Sequence, residues 1–523
     1  MRPAERLAVF LKGYIMQTVE LIAPCHFGME AVLKREIRDL GYEITSVEDG
    51  RVCFKGGAEA ICRANVFLRT AERVLIKVAS FKALTFDELF EKTKAVCWDE
   101  FIPKDGRFWV AKAASVKSRL FSPSDIQSIM KKAMVESLKK SYRIDWFTED
   151  KEAYPLRVFI MKDVVTIGLD TTGESLHKRG YRRLVSKAPI AENLAAAMIM
   201  LTPWKRDRIL IDPFCGSGTI PIEAAMMAAN IAPGMNREFL SNEWRNLIPR
   251  KSWYNVMDEA TGLVNTNIGT DIQGYDIDAD IIKAARQNAA AAGVDKLIHF
   301  QARPVRELSH PKKYGFLITN PPYGERIGDK DYLPGLYTEL SEGFKRLDSF
   351  SAYIITGYPD VERYMGRKAD KNRKIYNGMM KTYYYQFLGP RPPKAGGGMI
   401  ITPGIREKTH NARNIQILSL LRDFVQYNPG ASFAILYETA GTEVYTSSDQ
   451  VCSIESCEEA GLLEKLLTAP ADYIHRDRYR NISIRNTEEG IYLCEEFLYS
   501  VKQPLSILLV RLDRDYLFRS YAA

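Results

Sequence analysis

The stretch from Arg208 to Ala228 does most to constrain the fold of this chain. An apolar run, Arg208-Ile209-Leu210-Ile211, passes through Asp212-Pro213-Phe214-Cys215-Gly216-Ser217-Gly218-Thr219 into Ile220-Pro221-Ile222-Glu223-Ala224-Ala225-Met226-Met227-Ala228. Strand, glycine turn and helix in that order make a βα unit, the element from which parallel doubly wound sheets are built. Gly216 and Gly218 lack a Cβ, so a ligand can approach the backbone closely, and the helix that follows opens with unpaired N–H groups. Such a turn binds a nucleotide-like cofactor. Neither the glycine loop ending in Lys-Ser/Thr of phosphate-binding NTPases nor the three-glycine dinucleotide fingerprint is present. The cofactor therefore need not carry phosphate, and S-adenosylmethionine fits, with its amino-acid end against the turn.

A second strand follows at Gly274-Tyr275-Asp276-Ile277-Asp278, then a helical run from Ala279 to Ala292 that Gly293 stops. An acid at the end of the second strand of such a sheet accepts hydrogen bonds from ribose hydroxyls, and Asp276 is the candidate. In dinucleotide folds this acid follows the glycines by about 20 residues, whereas here residues 230–271 intervene. That insertion, with Trp244 and Trp253, reads equally as a wall on the substrate side or as surface elaboration. Apolar strands are expected at Leu297–Gln301, Phe316–Thr319 and Ala352–Thr356, alternating with helices such as Leu336–Leu347. Asp212, Asp276 and Asn320 then fall at strand carboxyl ends, where ligands of these sheets bind. The run from Lys374 to Phe387 reads as a hairpin turning at Asn377-Gly378.

Asn320-Pro321-Pro322-Tyr323, at the end of Phe316–Thr319, carries the chemistry. Each proline fixes its own φ and drives the preceding residue into an extended conformation, so the Asn320 side-chain oxygen and the Pro321 carbonyl can point to one spot. Two acceptors there would meet the two hydrogens of an aryl amine. Such an amine is a poor nucleophile because its lone pair is delocalised into the ring. Accepting both N–H bonds favours a pyramidal amine and stabilises the positive charge that develops as it takes a methyl group. Tyr323 would stack on the base. The plain alternative is a proline-rich turn after a buried strand, which the strand, turn and helix contexts of the other motifs disfavour.

Together, Asp212 to Ala225, Gly274 to Asp278 and Asn320 to Arg326 resemble the motifs of the THUMP-domain RNA methyltransferases, specifically the bacterial large-subunit ribosomal RNA guanine-N2 enzymes. Gly173 to Arg182 and Ala188 to Ala196 are similar to the link that this family places between its RNA-binding and catalytic halves. The resemblance spans roughly residues 17 to 390. It implies an α/β multidomain chain: a ferredoxin-like domain and a THUMP domain, then a Rossmann-like class I methyltransferase sheet with a terminal β-hairpin. It also implies a cofactor site of Asp212, Phe214, Cys215, Gly216, Ser217, Gly218 and Thr219, with Asp276 and Asn193. Asn320, Pro321, Pro322 and Tyr323 would form the catalytic set. One departure stands out. Many methyltransferases bind the adenine amino group with an Asp after the third or fourth strand, but this chain has Gln301-Ala302-Arg303-Pro304-Val305 there. Glu325 and Arg326 read more readily as a loop-closing pair than as substrate contacts.

With 523 residues the chain is long enough for three or four domains. We place boundaries at 17–70, 71–170 and 171–389, with an α/β appendage of unassigned role at 399–523 beyond a Pro/Gly-rich linker, Pro390–Gly398. The first domain should hold a strand over Thr18–Ala23, a helix over Gly28–Leu40 and a strand over Arg51–Phe54. In the second, Phe108–Ala113 should be a strand, and Ser122 should cap a helix begun by Pro123 in a capping box closed by Asp125. Lys112, Lys117, Arg119, Lys131, Lys132, Lys139 and Lys140 make this region the most basic. RNA is the expected partner, held through residues 71–190, in keeping with a formal charge of +8. In the appendage Ile415–Val425, Ser432–Tyr437 and Leu505–Leu512 read as folded elements, and Tyr473–Arg485 as a basic, aromatic stretch. Eight scattered cysteines without a Cys-x-x-Cys pair and six dispersed histidines argue against a zinc site. The absence of a long apolar run, and an Arg2–Met16 segment that makes a poor signal peptide, point to a soluble cytoplasmic protein. Transfer RNA is the nearest competing substrate. DNA bases and protein glutamine offer the same amine on an sp² carbon, and a non-catalytic ribosome-assembly factor is the alternative from another class.

Overall fold

The computed structural model describes residues 18–182, 190–323, 331–377 and 380–392, together with the backbone of seven strands between 431 and 512. It divides into two compact units, Met1–Pro392 and Pro393–Ala523. The Arg2–Met16 segment, Glu325 and Arg326, Ala188 and Pro189, and Ile415–Val425 lie outside the described residues, as does most of the predicted linker.

The first unit opens with β1 (Val19–Pro24), β2 (Ile44–Glu48), β3 (Arg51–Gly56), β4 (Leu75–Lys82), β5 (Arg107–Val116), β6 (Ala153–Met161) and β7 (Val164–Asp170). They form one sheet in the order β2-β3-β1-β4-β7-β6-β5. Because β4 pairs with both β1 and β7, the two predicted N-terminal segments share this sheet rather than building one each. Helices α1 (Glu30–Asp39), α2 (Ala58–Phe67), α3 (Phe86–Lys94) and α4 (Pro123–Tyr142) join a single core with Leu21, Phe54, Ile76, Leu169 and Leu156. Those five are cross-strand partners and so occupy one face of the sheet. At the start of α4 the Asp125 N–H donates to Ser122 Oγ at 3.4 Å with Pro123 as first helical residue, so Ser122 caps the helix as expected, while the Asp125 carboxylate makes no return bond to Ser122 N–H among the described residues. Lys131 departs from its predicted place on a solvated basic face. Its Nζ donates to the Phe108 carbonyl, pairs with Glu149 at 2.7 Å and sits 3.6 Å from the Phe108 ring centroid, so it is a half-buried strut against the sheet. Lys112, Lys117 and Arg119 remain exposed.

The second sheet contains β8 (Leu210–Asp212), β9 (Ile272–Asp276), β10 (Ile298–Ala302), β11 (Phe316–Thr319), β12 (Ser351–Thr356), β13 (Lys371–Asn377) and β14 (Met380–Phe387), in the order β10-β9-β8-β11-β12-β14-β13. The first five in that order run parallel; β14 pairs antiparallel with both β12 and β13, so the edge strand β13 shares the direction of the five. From β8 the chain moves out to β9 and β10, then returns to place β11 on the other side of β8. This reversal opens a crevice at the carboxyl ends of β8 and β11, the place where doubly wound sheets take their ligands. Helices α5 (Glu192–Met200), α6 (Thr219–Ala228), α7 (Arg250–Gly262), α8 (Ala279–Ala291) and α9 (Leu333–Lys345) accompany the sheet. The hairpin pairs Asn377 with Met380, so its two connecting residues are 378 and 379, one position later than the predicted turn.

The insertion at 230–271 fastens the two sheets to each other. Trp244 is buried, stacks on Tyr154 of β6 at 4.8 Å, and donates from Nε1 to the Ala153 carbonyl at 3.0 Å. Helix α7 lies against α2, where Arg63 forms a two-pronged pair with Glu259 at 2.7 and 3.0 Å. Neither earlier reading of this segment anticipated that it would grip the N-terminal sheet.

The second unit is an antiparallel sheet of β15 (Ala431–Glu438), β16 (Glu443–Thr446), β17 (Val451–Ser453), β18 (Tyr473–Arg476), β19 (Arg480–Thr487), β20 (Gly490–Ser500) and β21 (Gln503–Leu512), ordered β17-β16-β15-β21-β20-β19-β18. The folded elements expected at Ser432–Tyr437 and Leu505–Leu512 fall in β15 and β21, strands that pair with one another.

Candidate functional site

Asp212 ends β8, and the glycine turn follows directly. Gly216 at φ +52° and Gly218 at φ +89° take left-handed conformations open to glycine at little cost. A Cβ on Gly218 would lie 2.9 Å from the Phe300 ring, and one on Gly274 of β9 only 2.5 Å from it. The turn is anchored from β9. The Tyr275 carbonyl accepts from Cys215 N–H at 2.8 Å, and Asp276 Oδ2 accepts from Gly216 N–H at 3.1 Å. Asp276 Oδ1 takes Asp278 N–H at 3.1 Å, so each carboxylate oxygen keeps a lone pair for a hydroxyl donor. Burial raises the Asp276 carboxyl above its ordinary range, against the pull of these backbone bonds.

Asp212 is fully buried, and its Oδ1 accepts from Thr319 Oγ1 at 2.6 Å and from Phe214 N–H at 3.2 Å. One carboxylate thus ties the carboxyl end of β8 to that of β11. Loss of hydration pushes this carboxyl up to about 7, with the two hydrogen bonds opposing and the charge of Asp276 adding to the rise.

Beyond Thr319 the chain turns out of the sheet at Asn320. Asn320 Oδ1 is buried and has no hydrogen-bond partner among the described residues. An unpaired buried acceptor costs about 1–3 kcal/mol, so such an atom marks a place where a ligand's donor belongs. Pro321 is buried beside it. The Pro322 carbonyl accepts from Tyr337 OH of α9 at 3.3 Å, and the same hydroxyl lies 2.6 Å from Thr356 Oγ1 at the end of β12. Tyr323 rests against Gly357, where a Cβ would approach its ring to 3.3 Å.

Asn193, in the first turn of α5, is buried. Its Oδ1 lies 3.2 Å from Nε2 of His26, in the loop after β1, and its Nδ2 has no partner among the described residues. Ser217 Oγ is likewise buried and unpaired. Residues next to them are linked through Arg182, which pairs with Glu192 at 3.2 Å and donates to Thr219 Oγ1 at 2.8 Å. Phe214 is half-buried, and burial holds the Cys215 thiol well above its usual range. Unpaired donors beside a turn stripped of Cβ atoms, with a carboxylate at the end of β9, fit a ligand having an amino-acid end and a ribose. Among the described residues no cluster of His, Cys, Asp or Glu could hold a metal, and no helix is long and apolar enough to cross a membrane.

The structure brings the sequence-predicted residues to one end of one sheet and adds Thr319, Tyr337, Gly357, Arg182 and His26. Thr319 and Gly357 were legible as residues at strand ends. His26 and Tyr337 had no local signal, since they reach the site across 167 residues and from a helix face respectively.

A parallel five-stranded core with a closing antiparallel hairpin, a glycine turn and an acid at adjacent strand ends defines a class I methyltransferase domain. Residues 179–386 match the family described as "RMKL-like, methyltransferase domain", residues 20–75 the "RlmL ferredoxin-like domain" and residues 83–170 the "THUMP domain". The chain belongs to this THUMP-containing, RMKL-like methyltransferase family. It is 45% identical over 399 residues to the provisionally named RNA methyltransferase YpsC of Bacillus subtilis (strain 168), covering 76% of this chain and 100% of that protein. It is 32% identical over 421 residues to a ribosomal RNA large subunit methyltransferase K/L of Syntrophotalea carbinolica, covering 76% of this chain but 58% of that enzyme. A crystal structure of SMU.472, provisionally described as a methyltransferase and complexed with SAH, is 42% identical with a TM-score of 0.68, covering 72% of this chain and 100% of its own.

Proposed function

We propose that this protein is an S-adenosylmethionine-dependent RNA methyltransferase acting on the exocyclic N2 of a guanine in large-subunit ribosomal RNA. The observation that carries the reading is the buried, unpaired Asn320 Oδ1 at the carboxyl end of β11. The names of the YpsC and K/L relatives favour RNA, and ribosomal RNA in particular, and the SAH held by SMU.472 is the product left when S-adenosylmethionine gives up its methyl.

S-adenosylmethionine, when bound, supplies an electrophilic methyl group. The glycine turn, Ser217 and Asn193 would hold its amino-acid end, and Asp276 its ribose. Asn320 Oδ1 and the Pro321 carbonyl accept the two amine hydrogens and favour the pyramidal nitrogen that attacks. Asp212 and Thr319 fix where β11 ends, and Tyr337 fixes the Pro322 carbonyl, so both act by positioning the acceptors. Tyr323 stacks on the base. A base inside a duplex cannot reach such a crevice, so the target is a loop nucleotide or one extruded from its helix.

Mass spectrometry of ribosomal and transfer RNA from a deletion strain tests the reading. Loss of one N2-methylguanosine from the large-subunit RNA, restored by the wild-type gene and not by Asn320→Ala, is expected. Loss from transfer RNA alone would move the substrate, and unchanged methylation of both would overturn the proposal.

A further inference from the structure

We infer that the loop Cys25–Gly28 and the β13–β14 hairpin form a platform for the RNA strand beside the extruded base, with Phe27 and Tyr376 stacking on a neighbouring nucleotide. This rests on the RNA reading above and extends it to a surface.

Register places the platform at the catalytic edge. Thr356, the last residue of β12, pairs with Tyr383, and the hairpin runs on to the pair Tyr376–Lys381. Those two residues therefore project past the carboxyl ends where Asn320 and Tyr323 lie. Gly357 bridges the gap, since a Cβ there would lie 3.3 Å from the Tyr323 ring and 3.6 Å from the Lys381 carbonyl.

Phe27 arrives at this edge from the N-terminal sheet. Its ring meets that of Tyr376 edge-on at 6.5 Å, yet it remains 46% exposed. The loop that carries it is firmly built. Cys25 N–H donates to the Gly50 carbonyl at 2.9 Å, and Glu30 Oε1 accepts from Gly28 N–H at 3.1 Å and Gly50 N–H at 2.8 Å. Gly28, at φ +91°, lies so close to β13 that a Cβ would sit 3.0 Å from the Lys374 carbonyl. On the other side of Phe27, His26 contacts Asn193. An exposed aromatic ring is thus held between a residue of the cofactor side and the strand at the substrate side.

Charge names the occupant. Strands β13 and β14 carry Lys371, Arg373, Lys374 and Lys381 and no Asp or Glu. None of these four forms an ion pair with a carboxylate among the described residues. Lys374 Nζ lies 5.1 Å from the Tyr376 ring and Lys381 Nζ 5.3 Å from the Tyr383 ring. Cations interleaved with aromatic rings are what a single-stranded nucleic acid needs, with phosphates on the amines and bases on the rings. The competing account is that lysines merely guard an exposed edge strand against pairing with another chain. It gives Phe27 no role in RNA affinity.

The test uses the full chain and a large-subunit RNA fragment carrying the target site, with RNA affinity read by fluorescence anisotropy and RNA KM by tritiated-methyl transfer. Phe27→Leu keeps apolar bulk but cannot stack, and should weaken RNA affinity and raise RNA KM about five- to a hundredfold. Phe27→Trp should restore both, with S-adenosylmethionine affinity and Tm at wild-type values throughout. Lys374→Gln with Lys381→Gln should lower the salt slope of RNA binding by about two. Wild-type RNA affinity and salt slope in these variants would overturn the inference. Because anisotropy needs no turnover, a wild-type enzyme that binds this RNA but fails to methylate it would sink the functional reading and leave the platform standing.

Discussion

Replacing Asn320 with Ala separates the catalytic reading of this residue from a structural one, because the two predict opposite balances between activity and stability. Asn320 Oδ1 is buried without a partner among the described residues. Holding it there costs about 1–3 kcal/mol, which the truncation relieves, while the void left by the amide costs a similar amount. The two offset. Since about 1 kcal/mol moves Tm by about 2–4 °C in a domain of this class of size, the variant should melt within about 2 °C of wild type. During transfer the same atom faces the positive charge developing on the amine. Removing a preorganised group of this type costs about 2.7–4 kcal/mol, or about 10²–10³ in kcat, and the Pro321 carbonyl leaves some activity above background. Single-turnover transfer of a tritiated methyl group to RNA, thermal melting and calorimetric titration with S-adenosylmethionine provide the three readouts. Cofactor affinity should stay near wild type. Activity within tenfold of wild type, or a fall in Tm of more than about 6 °C, would refute the reasoning by showing that the oxygen either does not meet substrate or pins the loop.

The buried Asp212 carboxyl, pushed up to about 7 from an ordinary value of 3.8, gives the fold a pH dependence of defined sign. The folded state holds this proton more tightly than the unfolded chain, so its contribution to stability is full below about pH 4, is lost between about pH 4 and about pH 7, and is constant above. Urea midpoints across that window should decline less in Asp212→Asn than in wild type, and an equal decline in both would contradict the assignment. Trp244→Ala should cost about 3–5 kcal/mol in denaturant and split unfolding into two transitions, because it removes the stacked contact between the sheets. Retained single-step unfolding would show that Arg63–Glu259 and its neighbours suffice. Lys117→Ala and Arg119→Ala should each lower the salt slope of RNA binding by about one, whereas Lys131→Ala should lower Tm and leave that slope alone.

The sheet that carries the site was legible because its signals are local and mutually consistent. The strand ending at Asp212, the turn at Gly216 and Gly218, and the helix from Thr219 each follow from neighbouring residues, and so does the chain's exit at Asn320. Contacts between distant parts of the chain were not legible. Trp244 and Trp253 announce burial but not a partner, and only the fold shows Trp244 meeting Tyr154. Lys131 illustrates the reverse error. On a helical projection it belongs with the other lysines, yet the Phe108 ring and Glu149 lie within its reach and draw it inward. Charge at helical spacing reports a face and cannot say what that face packs on.

Unsatisfied buried atoms add a criterion that motif reading cannot supply. Most buried polar groups in a folded protein are paired, so those that are not call for an explanation. Asn193 Nδ2, Ser217 Oγ and Asn320 Oδ1 are among the unpaired buried atoms of the described residues, and all three belong to residues that the motifs single out. Glu192 Oε2, likewise without a hydrogen bond among the described residues, belongs to the residue beside Asn193, while the other oxygen of that carboxylate pairs with Arg182 Nε. Each alone is a local cost that a substitution to an apolar residue would relieve. Other unpaired atoms, Thr93 Oγ1 and Asn242 Oδ1 among them, lie elsewhere, but the four gathered at the carboxyl ends of β8 and β11 and along the first turn of α5 bear the cost jointly. It is recovered when a polar ligand enters. Asp212 fits the same logic, since its carboxyl is spent inside the protein, on Thr319 and the turn, and so sets the distance between the cofactor side and Asn320 instead of occupying it. The site is thus divided between atoms left open for ligand and atoms consumed in holding them apart.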